Sequence, residues 1–177
     1  MGDKDFRKYT WEEILALPEG AKLHDEVYSV SPRIRFIISR GYASLLAYIG
    51  IPLDHPMAGY DYEEMNIKPH WEFTHSDKGD GIYLPADYWW YGWDYGHGGD
   101  FLFIDEGKPR GVSLKYMNPD WLKKNEKFFK KYLEKDSRKK WLLEDVIQDS
   151  RKTLENFKEV MLLEEQWTKD KNGRNRT

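Results

Sequence analysis

The sequence predicts an α+β protein, a mostly antiparallel sheet with a short N-terminal helix and two C-terminal helices packed on it. Three observations lead there. Short β-rich runs follow one another from residue 21 to residue 104, separated by turn residues and with no helical spacing between them. Strands so closely spaced pair antiparallel, because a parallel pair needs a long crossover. Ahead of them stands a helix-start signal, and beyond Asn118 apolar residues recur at helical spacing with lysine and glutamate opposite.

Taken in order, residues 1–9 are polar and predict a flexible N-terminus. Thr10-Trp11-Glu12-Glu13 fits a capping box that opens a short helix through Leu17, which Pro18-Glu19-Gly20 stops. Residues 21–30 alternate loosely and turn at Ser31-Pro32. Arg33 to Ser39 places Ile34, Phe36 and Ile38 on one face, and Leu45 to Ile51 is a neighbouring apolar strand. Pro52 to Gly59 is a loop, and Tyr60 to Met65 is either a helical turn or an extended edge. Ile67 to Ser76 reads as a strand with Pro69 at its start or edge. Asp77 to Gly81 is a turn, and Tyr83 to Tyr88 leads into an aromatic strand. Phe101 to Ile104 reads as a short buried strand. Trp121, Leu122, Phe128, Phe129, Tyr132 and Leu133 mark the first C-terminal helix. Leu143, Val146, Ile147, Leu154, Phe157, Met161 and Leu163 mark the second, over about residues 142–167. The domain reading is a sheet-rich core at 10–117 that carries the site, a helical region at 118–167, and a disordered basic tail at 168–177.

At 177 residues the chain is long enough for one domain with a substantial core. It has no cysteine, so disulfides, thiolate metal sites and cysteine nucleophiles are excluded. The formal net charge of −3 argues against binding duplex DNA by phosphate neutralisation. No apolar stretch is long enough to span a bilayer, and residues 1–6 lack the core of a signal peptide, so a cytoplasmic protein is expected. Aromatic residues make up 16% of the chain, and their concentration in one glycine-rich segment favours a recognition surface.

That segment runs from Tyr88 to Asp100: Tyr-Trp-Trp-Tyr-Gly-Trp-Asp-Tyr-Gly-His-Gly-Gly-Asp. Its first half has the β-propensity of one strand, and its second half is a glycine loop in which Asp94, His97 and Asp100 can converge. Carboxylates and imidazole at D-x-x-H-x-x-D spacing suit a divalent metal with water, and His70, His75 or His55 can complete the set. The same aspartates can instead bond loop amides, as short acidic side chains do in turns. Strand alternation puts Trp89, Tyr91 and Trp93 on one face and Trp90, Gly92 and Asp94 on the other, so at most half of the tryptophans line one pocket. There Trp89, Trp90, Trp93 and Tyr95 offer stacking faces to a base. Arg33, Arg35 and Arg40 offer a basic contribution. No P-loop, dinucleotide fingerprint, nucleophile elbow or H-E-x-x-H signature is present.

Several of these residues fall into a pattern: Gly50-Ile51-Pro52 with His55-Pro56 and Gly59-Tyr60-Asp61-Tyr62, then His70 to Ser76, then Trp89-Trp90-Tyr91-Gly92-Trp93-Asp94 with His97 and Gly99-Asp100. It resembles a family of small phage and prophage proteins. Their motifs run roughly G-[YV]-V-G-[VI]-P-x-x-H-P, H-G-G-[LI]-[TS]-[FY]-S and W-W-[FLI]-G-F-D-x-[AG]-H-x-G-D, followed by a C-terminal helix that a tryptophan introduces, here Trp141. The resemblance covers about Gly41 to Asp100 and departs where the two glycines of the second motif are Trp71 and Glu72. It implies a phage-associated accessory protein, with an anti-defence role by analogy, and a shared polar site at His70, Asp94, His97 and Asp100. It carries no activity with it.

The leading expectation is therefore a protein that binds a small polar, nucleotide-like ligand with His70, Trp89, Trp90, Trp93, Asp94, His97 and Asp100, and that needs no cofactor. The second is a metal-dependent hydrolase in which His70, Asp94, His97 and Asp100 hold a divalent ion that activates water. The third is an inhibitor that docks on a host defence protein through exposed aromatics or the C-terminal helices. A second copy of the chain is a further partner that the sequence leaves open.

Overall fold

Thr10 caps the first helix as its spacing from Glu13 predicts. Its hydroxyl accepts from the Glu13 backbone N–H at 3.2 Å, and its own N–H donates to the Glu13 carboxylate at 2.8 Å. The helix, α1, covers Trp11–Ala16 and buries Trp11 and Ile14. This computed structural model describes residues 7–28, 33–106, 120, 124 and 138–174. The turn expected at Ser31-Pro32 lies outside them, as does the first C-terminal helix apart from Asp120 and Lys124, which are helical.

Five strands follow: β1 (Lys22–Val27), β2 (Arg35–Arg40), β3 (Leu45–Pro52), β4 (His75–Lys78) and β5 (Tyr88–Asp94). They form one sheet in the order β1-β2-β3-β5-β4, and every neighbouring pair is antiparallel. The first three strands make a meander. The chain then travels to the far edge, forms β4, and returns as β5 between β4 and β3. β5 is thus a central strand, which suits its aromatic run.

Strand alternation sorts the side chains onto two buried faces. Ile34, Phe36, Ile38, Ala47, Ile49, Ile51, Tyr91 and Trp93 face the main core. A long helix, α2 (Leu143–Arg174), covers that face. It buries Leu143, Val146, Ile147, Leu154, Phe157 and Met161 there, and the Phe157 ring meets Phe73 and Tyr91. Each such fully buried side chain contributes about 1.5–3 kcal/mol. Leu163, expected on the same stripe, is 66% exposed.

The opposite face is closed by a small cluster of Ile37, Tyr88 and Trp90, with Tyr48 and Leu84 packed on it. Two glycines make room: a Cβ on Gly50 would lie 2.7 Å from the Trp90 ring, and one on Gly92 would lie 2.7 Å from the Tyr48 ring. The loop after β4 folds over this cluster. One carboxylate oxygen of Asp80 accepts from the N–H groups of Ile82, Tyr83 and Leu84, and the Trp90 indole donates to the Pro85 carbonyl at 2.9 Å.

Three sequence expectations are corrected and one open alternative is decided. Ile67 to Ser76 is mostly not a strand; pairing begins at His75 and takes in Asp77 and Lys78, which read as a turn. The reason lies at Pro69, which cannot donate to a ladder, and at Trp71, whose φ of 65° is incompatible with extended chain. Phe101 to Ile104 is not a strand either. The Phe101 N–H goes to the Lys139 carbonyl and the Phe103 N–H to the Ala43 carbonyl, and a 3₁₀ turn follows at Phe103–Asp105. The ambiguous Tyr60–Met65 segment is a 3₁₀ turn at Tyr62–Glu64, capped by the Asp61 carboxylate. Finally, α2 runs past Trp167 to Arg174, so residues 168–174 of the expected disordered tail are helical. Among the described residues no helix is long and apolar enough to cross a membrane.

Candidate functional site

Asp100 is the hub of a buried polar cluster in the loop that follows β5. It is 7% exposed, and its carboxylate meets three nitrogen groups. The Trp141 indole N–H donates to Oδ1 at 2.7 Å, the His97 backbone N–H donates to Oδ2 at 2.9 Å, and Nε2 of His70 lies 3.0 Å from Oδ2. An ionised carboxylate only accepts, so His70 carries a proton on Nε2 in this arrangement.

Each partner is delivered by a different part of the fold. Asp100 and His97 sit in the loop after β5, where the Asp100 N–H returns to the His97 carbonyl and Gly99 has a φ of 106° that a side chain would disfavour. His70 sits in the turn that follows Pro69. Trp141 is held by a short bridge in which the Lys139 N–H donates to the Gly99 carbonyl while Phe101 returns an N–H to Lys139. That bridge straps the chain entering α2 to the glycine loop. The helix then starts at Leu143, with the Asp145 carboxylate accepting from the Leu142 N–H at 3.1 Å.

Rings pack around His70 on several sides. Tyr95 stacks on it with centroids 4.7 Å apart at 14°, while Trp141 meets it edge-on at 4.8 Å and His97 edge-on at 5.7 Å. The Tyr95 hydroxyl donates to Asp149 at 3.0 Å and shares a hydrogen bond with Ser150 at 3.1 Å. Burial pushes the Tyr95 phenol well above its ordinary pKa, so it stays a donor at all physiological pH values. Behind the two imidazoles stand carboxylates. Asp149 Oδ2 is 3.9 Å from His70 Nδ1, and Asp94 Oδ1 is 3.7 Å from His97 Nδ1.

One donor atom from each of His70, His97 and Asp100 lies within 4.8 Å of the other two. Metal bonds of about 2.1 Å meeting near a right angle place two donors about 3.0 Å apart, so an ion could replace the proton of the 3.0 Å hydrogen bond between His70 Nε2 and Asp100 Oδ2 without moving either atom far. Two imidazoles and one carboxylate are a donor set that leaves coordination positions open on zinc, manganese or iron. The Nδ1 atom of His97 is buried with no hydrogen-bond partner, the Asp94 carboxylate at 3.7 Å being beyond hydrogen-bond reach.

Of the residues singled out in the sequence, the fold brings His70, His97 and Asp100 together. Asp94 is beside them but stands outside the donor triangle, with Oδ1 accepting from the Gly96 N–H at 2.9 Å, the loop-amide role that short acidic residues take in turns. The expected aromatic wall is not assembled. Trp90 is buried on the opposite sheet face, Trp93 is buried between Phe36 and Phe73, and Trp89 is only partly buried against the main core. His55 lies 3.5 Å from Glu165 and His75 packs edge-on against Tyr48, both away from the cluster. Arg35 forms a two-point pair with Asp25 at 2.8 and 2.9 Å, and Arg40 donates to the Gly41 carbonyl. Burial acts against the Asp25 carboxylate, but the hydrogen bonds from Arg35 and Lys22 outweigh it and hold its pKa below the ordinary value. Arg33 is exposed just ahead of β2.

Four members of the cluster escaped the sequence reading of the site: Trp71, Trp141 as a hydrogen-bond donor, Asp149 and Ser150. Trp71 stacks flat on His97, with centroids 5.3 Å apart at 8°. A signal existed for Ser150, since it falls four residues after Val146 and four before Leu154, on the apolar stripe of α2. A small polar residue there implies a buried partner. Comparison with protein-family models, with curated proteins and with solved structures finds no match to this chain.

Proposed function

We propose that the protein is a divalent-metal-dependent hydrolase whose ion is held by His70, His97 and Asp100 and whose substrate is a small phosphate ester. One observation carries this reading: three side chains of metal-ligating type, from two separate segments, each bring a donor atom to within 4.8 Å of the other two. The surroundings support it. Asp149 and Asp94 stand 3.9 and 3.7 Å from the Nδ1 atoms of the two imidazoles, close to where the carboxylates behind metal-bound histidines stand though beyond hydrogen-bond reach, and the Trp141 indole fixes Asp100 as an outer partner fixes a ligating carboxylate.

Three protein ligands leave room for water, and a divalent ion lowers the pKa of that water towards neutrality. An ion held by His70, His97 and Asp100 would in this way supply an activated water for cleaving a P–O ester bond, the water's oxygen going to phosphorus and its proton to the departing alcohol. A phosphate would find one ammonium nearby: Lys139 Nζ lies 3.5 Å over the ring of Trp141 and 3.9 Å from Asp145, whereas Lys140 is paired with Glu106 at 3.1 Å. A binding protein built on an aromatic wall is less well supported, because Trp90 and Trp93 are spent in two separate cores. By analogy with the phage proteins that its motifs resemble, the substrate would be a host nucleotide signal.

The test is calorimetric titration of the chelator-stripped protein with Mn²⁺ and Zn²⁺, beside phosphate release from nucleoside monophosphates. One ion per chain is expected, with turnover abolished by chelator and restored by metal. His70→Ala, His97→Ala and Asp100→Asn should each weaken binding at least tenfold, and Asp94→Ala should weaken it less. Failure of all three ligand variants to change metal affinity in folded protein would sink the reading.

A further inference from the structure

Trp71 is the only non-glycine residue among the described ones with a positive φ, at 65°. That conformation is costly for a bulky L side chain and persists only where its surroundings impose it. Burial does not offset the cost, since the residue is 59% exposed. What the conformation achieves is placement: the indole lies parallel to the His97 ring, 5.3 Å from it, at the rim of the proposed metal centre. Most large aromatic side chains nearby, including Tyr95, Trp93 and Trp141, are buried. Among the described residues, Trp71 is the exposed aromatic side chain in ring contact with one of the three donors.

We infer that Trp71 is the substrate-recognition residue, its indole stacking the base of a nucleotide whose phosphate sits at the His70, His97 and Asp100 centre. This rests on the reading of the site proposed above and names its substrate class. Two kinds of chemistry border the centre. The Trp71 indole, stacked on His97, presents an aromatic face, which suits any planar base. The Lys139 ammonium, over the ring of the tryptophan that holds Asp100 and 3.9 Å from Asp145, suits an anion. A nucleoside monophosphate has this polarity, with a planar ring at one end, a phosphate at the other and a sugar between. Stacking of this kind tolerates different bases, so discrimination is between substrates with and without a base rather than among bases.

The test compares adenosine 5′-monophosphate with ribose 5-phosphate, which has the same sugar and phosphate and no base. Both calorimetric binding in the presence of metal and phosphate release are read, for wild type, Trp71→Phe and Trp71→Gly. Glycine adopts a φ of 65° freely, so Trp71→Gly is compatible with the fold and should not lower thermal stability. The wild type is expected to favour the nucleotide by roughly tenfold or more. Trp71→Gly should remove that preference and Trp71→Phe should retain most of it; because Trp71 stacks on His97, metal affinity is titrated for each variant, and the preference is compared at saturating metal. A preference unchanged in Trp71→Gly, or absent in wild type, overturns the inference even if hydrolysis proceeds. Nucleotide binding that depends on Trp71 without any turnover upholds the inference and removes the hydrolase reading instead. Metal binding with neither nucleotide binding nor hydrolysis overturns both.

Discussion

Trp141 donates its indole N–H to Asp100 over 2.7 Å, across 41 positions of sequence. The bond lies in a buried setting and satisfies one oxygen of a carboxylate whose other oxygen serves His70 and the His97 backbone. Trp141→Phe keeps most of the ring packing against His70 and Tyr95 and removes only the donor. Leaving a buried carboxylate oxygen unpaired costs about 1–3 kcal/mol, and loss of an outer partner typically lowers metal affinity about 10–100-fold. Urea denaturation and metal titration of the variant measure the two effects separately. Unchanged values in both would mean that Trp141 only fills space.

The two sheet glycines give a prediction about the fold alone. Gly50→Ala would drive a methyl group into the Trp90 ring, and Gly92→Ala would drive one into the Tyr48 ring, each 2.7 Å from the new carbon. Both rings stand on the sheet face closed by Ile37, Tyr88 and Trp90, where overpacking has little room to relax. Each substitution should cost about 1–3 kcal/mol. Gly98→Ala is the control, since nothing lies within 4 Å of its added carbon, and it should be close to neutral. The denaturation midpoints decide it; equal midpoints for Gly92→Ala and Gly98→Ala would contradict the close packing of Tyr48 on β5.

Much of the fold was legible because local chemistry set it. The Thr10 capping box, the strands around Phe36 and Ile49, and the apolar stripe from Leu143 to Met161 all follow from spacing within a few residues. The α+β class follows from those elements. The site was legible in part. His70, His97 and Asp100 announce their chemistry by type, but Trp141 and Asp149 are ordinary helix-region residues until the Gly99–Lys139 bridge brings them in. The tryptophans misled for a physical reason. A central strand is buried on both faces, so alternation divided Trp90 from Trp93 between two cores and left neither to a ligand. The aromatic face that remains, Trp71, was hidden because a positive φ at a tryptophan cannot be inferred from propensity.

His55 gives the fold a pH dependence independent of the site. Its Nδ1 accepts from the Met57 N–H at 3.2 Å, which places the ring proton on Nε2, 3.5 Å from Glu165 on α2. Burial pushes the imidazole pKa below its ordinary value, and the opposing pull of Glu165 only moderates this. The unfolded chain therefore takes up a proton at His55 before the folded protein does. Above the ordinary value, about 6.5, His55 contributes no slope to stability; as pH falls from there through the folded-state pKa, stability is lost. His55→Asn retains an acceptor for Met57 and cannot titrate. Its denaturation free energy should be lower than wild type at pH 7 but should fall less between pH 7 and pH 5. Urea midpoints at pH 5, 6 and 7 for both proteins test this, and parallel pH profiles would show that the acid sensitivity arises elsewhere.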